Sequence, residues 1–201
     1  LIERQRAFAG TASHQLRTPL TALRLRLEQL AGDDLPDDAR HHVDTALEET
    51  DRLHRMIEGL LVLSRAEDAA AGPVEVDLAS VVRERAAYWE PLAAESQVDV
   101  VVTVPPAAQA LAVPGAAEQI VDNLVDNALD VSPPGATLRL SVVDATDGLE
   151  LHVVDEGPGL SAAERNLAFE RYWRGQRATP GGTGLGLAIV RQLAAAGGGD
   201  A

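Results

Sequence analysis

The sequence of 201 residues contains no cysteine and no lysine, so all 17 of its basic residues are arginines. The absence of cysteine excludes disulfide bonds, thiolate zinc sites and cysteine nucleophiles, and it is compatible with a reducing compartment. No apolar run is long enough to cross a bilayer, and no signal-peptide pattern is present. We therefore expect no membrane contact by this stretch of chain.

Positive charge is also scarce, since 31 acidic residues against 17 basic ones give a formal net charge of −14. Phosphate backbones are held mainly by Lys and Arg, so nucleic acid is not an expected partner. A chain of 201 residues with 46% hydrophobic content can form one large domain or two small ones. The order of the motifs described below favours two domains.

The first motif places a histidine on an amphipathic helix that contains a proline. Leucines recur in alternating steps of four and three, the pattern of a coiled-coil seam, at Leu16, Leu20, Leu23, Leu27 and Leu30. His14 and Thr18 share a face outside this seam, so we expect His14 to face solvent. Pro19 has no N–H to donate to the Gln15 carbonyl, and it should bend the helix there. His14 is therefore the first candidate for chemistry.

Two amphipathic helices are predicted in residues 1–68. Residues 1–31 read as one long helix, the turn around Gly32 and Pro36 ends it, and residues 38–66 form the second helix. A hairpin of this kind cannot bury both apolar faces alone, so a second copy is expected to complete a four-helix bundle. The pattern therefore predicts a homodimer.

After a linker at residues 69–73, the pattern changes to alternating strands and helices over residues 74–201. The predicted elements are strands at 74–78 and 98–104, a short strand near Leu111, helices at 79–96, 115–130 and 184–196, and a hairpin of 137–143 with 149–154 turning near Asp147 and Gly148. Residues 160–181 have no clear period and are predicted as a long loop with a helical piece. These elements predict an α+β sandwich with helices on one face of the sheet.

Five motifs, taken in order, resemble those of one protein family. They lie at residues 8–20, 123–128, 155–159, 169–174 and 182–187. A single glycine-rich box would be a weak signal, but five boxes in the family's order are a strong one. The chain resembles the bacterial two-component sensor histidine kinases. That resemblance implies a dimerisation and phosphoacceptor hairpin followed by an ATP-binding domain of the GHKL type.

The resemblance assigns catalytic and metal-binding roles. It implies that His14 accepts the γ-phosphoryl group of ATP and that Thr18 helps to orient water when the enzyme dephosphorylates its regulator. It implies that Asn127 is the ligand of a Mg²⁺ ion, with Asn123 on the same helix face. It also implies that Asp155 accepts a hydrogen bond from the adenine amino group.

The glycine boxes and two arginines would complete the nucleotide site. Backbone can approach a flat ring closely at Gly157 and Gly159. A helix that opens with free N–H groups can face phosphate oxygens, and the glycines at this helix start are Gly182, Gly184 and Gly186. Arg171 and Arg174 lie between the boxes, where a guanidinium could stabilise the γ-phosphate.

Membership would also imply partners and a location. The phosphoryl group would pass from the histidine to an aspartate of a response-regulator receiver domain. The parent protein would be anchored in the inner membrane, with this part on the cytoplasmic side. In the family, a further strand after the last helix completes the sheet, and we expect residues 74–201 to lack it. Either the chain stops early, which would leave an exposed sheet edge, or further residues follow Ala201.

Three positions depart from the family pattern and keep two alternatives open. Gln15 stands where Glu or Asp is general, Asp130 where Lys or Arg touches phosphate, and Val131 where an aromatic residue is common. A catalytically weak dimeric module that binds nucleotide and signals by conformation is therefore one alternative. A GHKL ATPase is the other, but such enzymes activate water with a Glu at the position that Asn123 occupies here.

Overall fold

The computed structural model describes residues 19–20, 22–32, 35–36, 38–47, 49–50, 53, 57, 73–170, 173, 175 and 184–201. Its contacts divide the chain into two compact units, Leu1–Asp68 and Ala69–Ala201. Among the described residues, no helix is both long enough and apolar enough to span a membrane.

The first unit is helical where it is described. Residues 22–31 and 38–47 have helical backbone, and Gly32 lies in the turn after the first of these helices. The Gly32 N–H donates to the carbonyls of Glu28 and Gln29, both at 3.2 Å, which closes the last turn. The two predicted helices are confirmed for these residues, while residues 1–18 and 58–66 of the prediction lie outside the described residues.

Large apolar side chains of the first unit face outward. Leu23 and Leu30 of the predicted seam are each 45% exposed, and Leu53 on the second helix is 38% exposed. Among the described residues of this unit, only Thr50 is buried. The first unit therefore presents an apolar surface that its own described residues do not cover.

The second unit alternates strands and helices. Its elements are β1 (Val74–Asp77), α1 (Leu78–Glu95), β2 (Asp99–Thr103), β3 (Gln109–Ala112), α2 (Ala116–Val131), β4 (Thr137–Ala145), β5 (Gly148–Val154), α3 (Ala162–Leu167) and α4 (Gly186–Ala196). Each strand and helix predicted from the sequence is present, with bounds that shift by one or two residues at most. The predicted α+β class is therefore confirmed.

The described strands form two sheets, whereas the sequence predicted a single one. β1 pairs antiparallel with β3, and β2, β4 and β5 form a three-stranded sheet in that order. The predicted hairpin is the antiparallel pair β4–β5, which turns between Ala145 and Gly148. β2 pairs in parallel with β4, and a parallel pair needs a crossover, which β3 and α2 provide. Within the described residues, β5 pairs only with β4.

The core of the second unit lies between the helices and one face of the three-stranded sheet. Along β4, Leu138, Leu140 and Val142 are buried while Arg139 and Val143 are exposed, because successive strand residues point to opposite faces. These side chains belong to one cluster with buried residues of α1 and α2, namely Val82, Ala86, Trp89, Val121, Val125 and Ala128. The helices therefore cover one face of this sheet, as predicted.

Asp77 joins the start of α1 to the neighbouring loop. Its carboxylate accepts hydrogen bonds from the N–H of Ala79 at 3.1 Å and from the N–H of Ala108 at 2.8 Å. The Leu78 N–H in turn donates to the Ala108 carbonyl at 2.8 Å. The hydrogen bond from Ala108 is the largest influence that lowers the pKa of Asp77 below its usual value, because it stabilises the ionised form.

Candidate active site

The two asparagines of the second motif lie on one face of α2. The α2 residues that belong to the core cluster are small or β-branched, and they are Ala117, Val121, Val125 and Ala128. Asn123 and Asn127 are one helical turn apart and half-buried on a different face. The helical period therefore separates the packing face of α2 from the face that carries the amides.

The first residue of α4 lies against both asparagine side chains. A methyl group added at Gly186 would lie 3.4 Å from Nδ2 of Asn127 and 3.5 Å from Oδ1 of Asn123. A longer side chain at this position would occupy the space in front of the amides. The structure thus brings together two motifs that are about sixty residues apart, because α2 and α4 pack against one another. The first N–H groups of a helix have no partner within the helix, and Gly186 places the start of α4 beside these amides.

The two amides differ in how their nitrogens are used. Nδ2 of Asn123 donates to the Gln119 carbonyl at 2.9 Å, which leaves its Oδ1 as the atom that faces Gly186. Nδ2 of Asn127 is buried and has no hydrogen-bond partner among the described residues. A buried donor without a partner costs about 1–3 kcal/mol. An acceptor from a bound ligand would satisfy it.

The fit of a metal can be tested on these atoms. Amide oxygens are ligands that a hard cation such as Mg²⁺ accepts, and Asn123 and Asn127 supply two of them on one face. Among the residues that the structure describes, no group of three His, Asp or Glu side chains could hold a metal ion. A cation here would therefore take its other oxygens from a ligand and water, as Mg²⁺ does when it binds with phosphates.

The Asp155 turn lies against the carboxyl end of α2. Oδ1 of Asp155 accepts a hydrogen bond from the Gly157 N–H at 2.8 Å, which leaves Oδ2 for another donor. A methyl group at Gly157 would lie 2.8 Å from Cγ2 and 3.0 Å from the carbonyl oxygen of Val131, so only glycine fits without displacement. Gly159 follows with φ of 65°, in the left-handed region. A third motif therefore joins the same helix.

The first two residues of the motif at residues 169–174 contact α4. The Arg191 guanidinium lies 5.8 Å from the centre of the Phe169 ring, and its Nη2 lies 3.5 Å from Oε1 of Glu170. Gly184, with φ of 66°, precedes α4 by two residues. The residues that lead into the arginine-bearing segment therefore contact the helix that faces the asparagines.

The predicted site residues fall into two groups. Asn123, Asn127, Gly184 and Gly186 lie around the start of α4, while Asp155, Gly157 and Gly159 lie at the carboxyl end of α2. The predicted roles of six residues stay predictions because these residues lie outside the described ones, namely His14, Gln15, Thr18, Arg171, Arg174 and Gly182. Asp130 is exposed, and the last turn of α2 contains no basic residue.

One residue beside the site was missed by sequence reasoning. Asp122 immediately precedes Asn123, and its carboxylate accepts hydrogen bonds from Arg85 and Trp89 of α1. The partners are 37 and 33 residues away in sequence. No local periodicity or motif connects residues at that distance, so the sequence carried no signal for this contact.

Both halves of the chain match known families. Residues 4–69 match the His Kinase A (phospho-acceptor) domain, and residues 112–201 match the family of histidine kinase-, DNA gyrase B- and HSP90-like ATPases. The chain is 38% identical over 199 residues to the sensor-type histidine kinase PrrB of Mycobacterium tuberculosis, a match that covers 98% of this chain and 44% of PrrB. The chain thus spans less than half the length of that relative.

Two solved structures are similar over much of the chain. Full-length ShkA, crystallised in complex with AMPPNP, is 30% identical with a TM-score of 0.64, over 94% of this chain and 41% of ShkA. The mycobacterial sensor histidine kinase MprB is 32% identical with a TM-score of 0.54, over 63% of this chain and 80% of the MprB chain. These matches and the site define a protein with a phosphoacceptor domain and an ATPase-type domain. The chain belongs to the sensor histidine kinases of two-component systems.

Proposed function

We propose that this chain is the catalytic core of a homodimeric sensor histidine kinase that phosphorylates its own His14 with ATP and then phosphorylates an aspartate of a response-regulator receiver domain. The observation that carries the proposal is the contact of Gly186 with Asn123 and Asn127. Two motifs from separate helices meet there, and a buried amide nitrogen without a described partner faces the helix start. The similarity to PrrB and to the AMPPNP complex of ShkA supports the same reading.

The metal and phosphates would bind between α2 and α4. Asn127, with Asn123 beside it, would hold Mg²⁺, which neutralises phosphate charge when it is bound. The first N–H groups of α4, together with Gly182 and Gly184, would face phosphate oxygens because the amino end of a helix attracts anions. Asp130 adds no positive charge at this end of α2.

The remaining residues would hold the adenine and the γ-phosphate. Asp155 has one oxygen engaged by the Gly157 N–H, so its other oxygen would accept the adenine amino group. Gly157 and Gly159 would let backbone approach the ring. Arg171 and Arg174 would donate charge-assisted hydrogen bonds to the γ-phosphate, which makes them the main cations of the site in a chain without lysine.

The chemical step would be a phosphoryl transfer to an imidazole. One ring nitrogen of His14 forms the bond to γ-phosphorus while the bond from phosphorus to the bridging oxygen breaks, and ADP leaves with that electron pair. The Gln15 amide oxygen would accept a hydrogen bond from the other ring N–H and fix the tautomer, but it cannot take the proton. Thr18 would orient water when the enzyme acts as a regulator phosphatase.

The first unit would supply the dimer interface and the phosphoacceptor. Leu23 and Leu30 are exposed in the single chain, and a second copy of the hairpin would bury them in a four-helix bundle. We further propose that the parent protein is anchored in the inner membrane and that this core lies on its cytoplasmic side, where ATP and receiver domains are found.

Incubation with ATP labelled at the γ-phosphorus separates this proposal from its alternatives. A kinase yields protein-bound label that is acid-labile and base-stable and that disappears in His14→Gln. A GHKL ATPase releases labelled phosphate without labelling the protein. A signalling module binds ATP and does neither, and either of the last two results would contradict the proposal.

A further inference from the structure

Asp122 ties the asparagine helix to α1 through two short hydrogen bonds from one turn of α1. Its Oδ1 accepts from Nε of Arg85 at 2.7 Å and from Nε1 of Trp89 at 2.8 Å. Trp89 is only 1% exposed, and the side chains of Arg85 and Asp122 are 23% and 18% exposed. Solvent therefore competes weakly for these hydrogen bonds, and they are stronger than exposed ones would be.

Aromatic packing reinforces the donors of this pair. The Arg85 guanidinium lies 4.2 Å from the centre of the Tyr88 ring, and the Tyr88 and Trp89 rings meet edge to face with centres 5.9 Å apart. Both contacts are favourable geometries for these groups. These contacts restrain the Arg85 and Trp89 side chains. The bonds therefore form only when α2 places the Asp122 carboxylate next to both donors.

Asp122 and the asparagines lie on different sides of α2. Successive residues of a helix differ by about 100° around its axis, so Asp122 faces α1 while Asn123 and Asn127 face α4. A rotation of α2 by about 20° would move an atom about 5 Å from the axis by roughly 2 Å. Metal–ligand distances tolerate only about 0.2 Å. The orientation of α2 thus decides whether the amides can serve as ligands.

The buried residues of α2 are alanines and valines together with Gln119. Burial of apolar surface is favourable but has little directional preference. The two hydrogen bonds to Asp122 are directional and weaken steeply when misaligned. They therefore restrain the angle between α2 and α1 as well as the distance.

We propose that Asp122 is a positioning residue for the metal site, which holds α2 in the rotation that presents the Asn127 amide to a metal-bound nucleotide. Asp122 does not itself touch the nucleotide in this scheme. The inference rests on the proposed function, because it concerns how the same site is held. Mutation of a residue that orients a metal ligand without binding the metal itself typically lowers metal affinity by about 10–100-fold.

The test compares two substitutions of Asp122 with a matched control on the same helix. Asp122→Ala removes the oxygen that accepts both hydrogen bonds, whereas Asp122→Asn loses the charge but keeps that oxygen. Glu118→Ala is the control, at an exposed position in the first turn of α2. Binding of a non-hydrolysable ATP analogue is measured in excess EDTA and across a Mg²⁺ titration. We expect Asp122→Ala to raise the half-saturating Mg²⁺ concentration about tenfold, with less than about a twofold change in EDTA, and Asp122→Asn to lie closer to the wild type. Glu118→Ala should change neither quantity.

Each other outcome has a defined meaning. Equal losses of affinity in EDTA and in Mg²⁺ would show a general effect on the fold and would overturn the positioning role. No change in Mg²⁺ dependence would overturn it as well. A wild-type chain whose analogue binding does not respond to Mg²⁺ would contradict the proposed function itself, and the inference with it.

Discussion

The two units of this chain differ in where they place their apolar side chains. In the second unit, Trp89, Leu138 and Leu140 are at most 1% exposed, in a core between helices and sheet. In the first unit, Leu23 and Leu30 are each 45% exposed. The second unit thus encloses part of its leucines, whereas none of the leucines described in the first unit is buried.

This difference separates a unit with a described core from one whose described leucines lie at the surface. Apolar surface removed from water stabilises a protein by about 25 cal/mol per Å², and the second unit gains this within one chain. The described leucines of the first unit would gain this stabilisation only when another surface covers them. The ATP-binding unit should therefore be stable by itself, while the phosphoacceptor unit should depend on a second copy.

The largest expected effect comes from a substitution that removes a proposed metal ligand and leaves the core of the second unit unchanged. Asn127→Ala removes an amide oxygen from the proposed metal shell, so Mg²⁺-dependent labelling should fall below detection while the circular dichroism spectrum and dimer mass stay unchanged. Asp155→Ala is the comparison, because it should weaken analogue binding with or without Mg²⁺. Normal labelling in Asn127→Ala would remove the case for this site.

Truncation of a core leucine should affect the second unit alone. Leu140 is completely buried, so Leu140→Ala should lower the free energy of unfolding of this unit by about 2–5 kcal/mol, through lost burial and a cavity. Urea unfolding followed by tryptophan fluorescence reports on this unit, because both tryptophans lie in it. Leu167→Ala, at a side chain that is 46% exposed, should change stability by less than about 0.5 kcal/mol. Equal effects would contradict the assigned core.

An acidic group beside the phosphoacceptor should raise the rate of transfer. Gln15→Glu supplies a carboxylate that can take the ring proton of His14, and general-base assistance is worth about 10²–10⁴-fold where geometry is right. We expect single-turnover labelling to accelerate by at least about tenfold, with ATP affinity nearly unchanged. Gln15→Ala tests whether the amide contributes at all. An unchanged rate in Gln15→Glu would disprove the proposed role of this position.

A charge on the seam of the first unit should weaken the dimer. Burying one leucine is worth about 1.5–3 kcal/mol, so Leu23→Glu should raise the dimer dissociation constant by about tenfold or more. Leu25→Glu is the matched control, because Leu25 is 54% exposed on the same helix but lies outside the seam. Light scattering at micromolar concentration distinguishes the two. A monomeric wild type, or equal weakening by both variants, would contradict the bundle.

The smallest effect is confined to acid pH in the second unit. The pKa of Asp77 is lowered by the Ala108 hydrogen bond, so the ionised form stabilises the fold above the unfolded pKa, and this stabilisation is lost as pH falls through the folded pKa. Asp77→Asn keeps an acceptor but does not titrate. Urea midpoints from pH 7 down to pH 3 should therefore fall less steeply in this variant than in wild type, and parallel curves would contradict the assignment.

The local elements of the second unit could be predicted from sequence because their signals are local. Alternating valines and leucines indicated β4, and Asp147 with Gly148 indicated the turn of the hairpin. The two asparagines were placed on one helix face because the helical period alone requires it. For these features the physics acts over a few neighbouring residues.

The contacts that assemble the site could not be predicted in the same way. The fit of Gly157 against Val131, the approach of Gly186 to the amides and the bonds to Asp122 all join residues far apart in the chain. Such contacts depend on how whole elements pack, so periodicity and turn chemistry say nothing about them. The resemblance to a family indicated which residues belong to one site, and packing shows how they meet.

Identification of the labelled residue tests most directly whether the ATP-binding unit acts on the phosphoacceptor unit. The wild-type chain, His14→Gln and Asn127→Ala are each incubated with Mg²⁺ and labelled ATP. The label is then located in proteolytic fragments kept at alkaline pH, where phosphohistidine is stable. We predict label on His14 alone in the wild type and none in either variant. Label at another residue, or label that persists in His14→Gln, would contradict the proposed function.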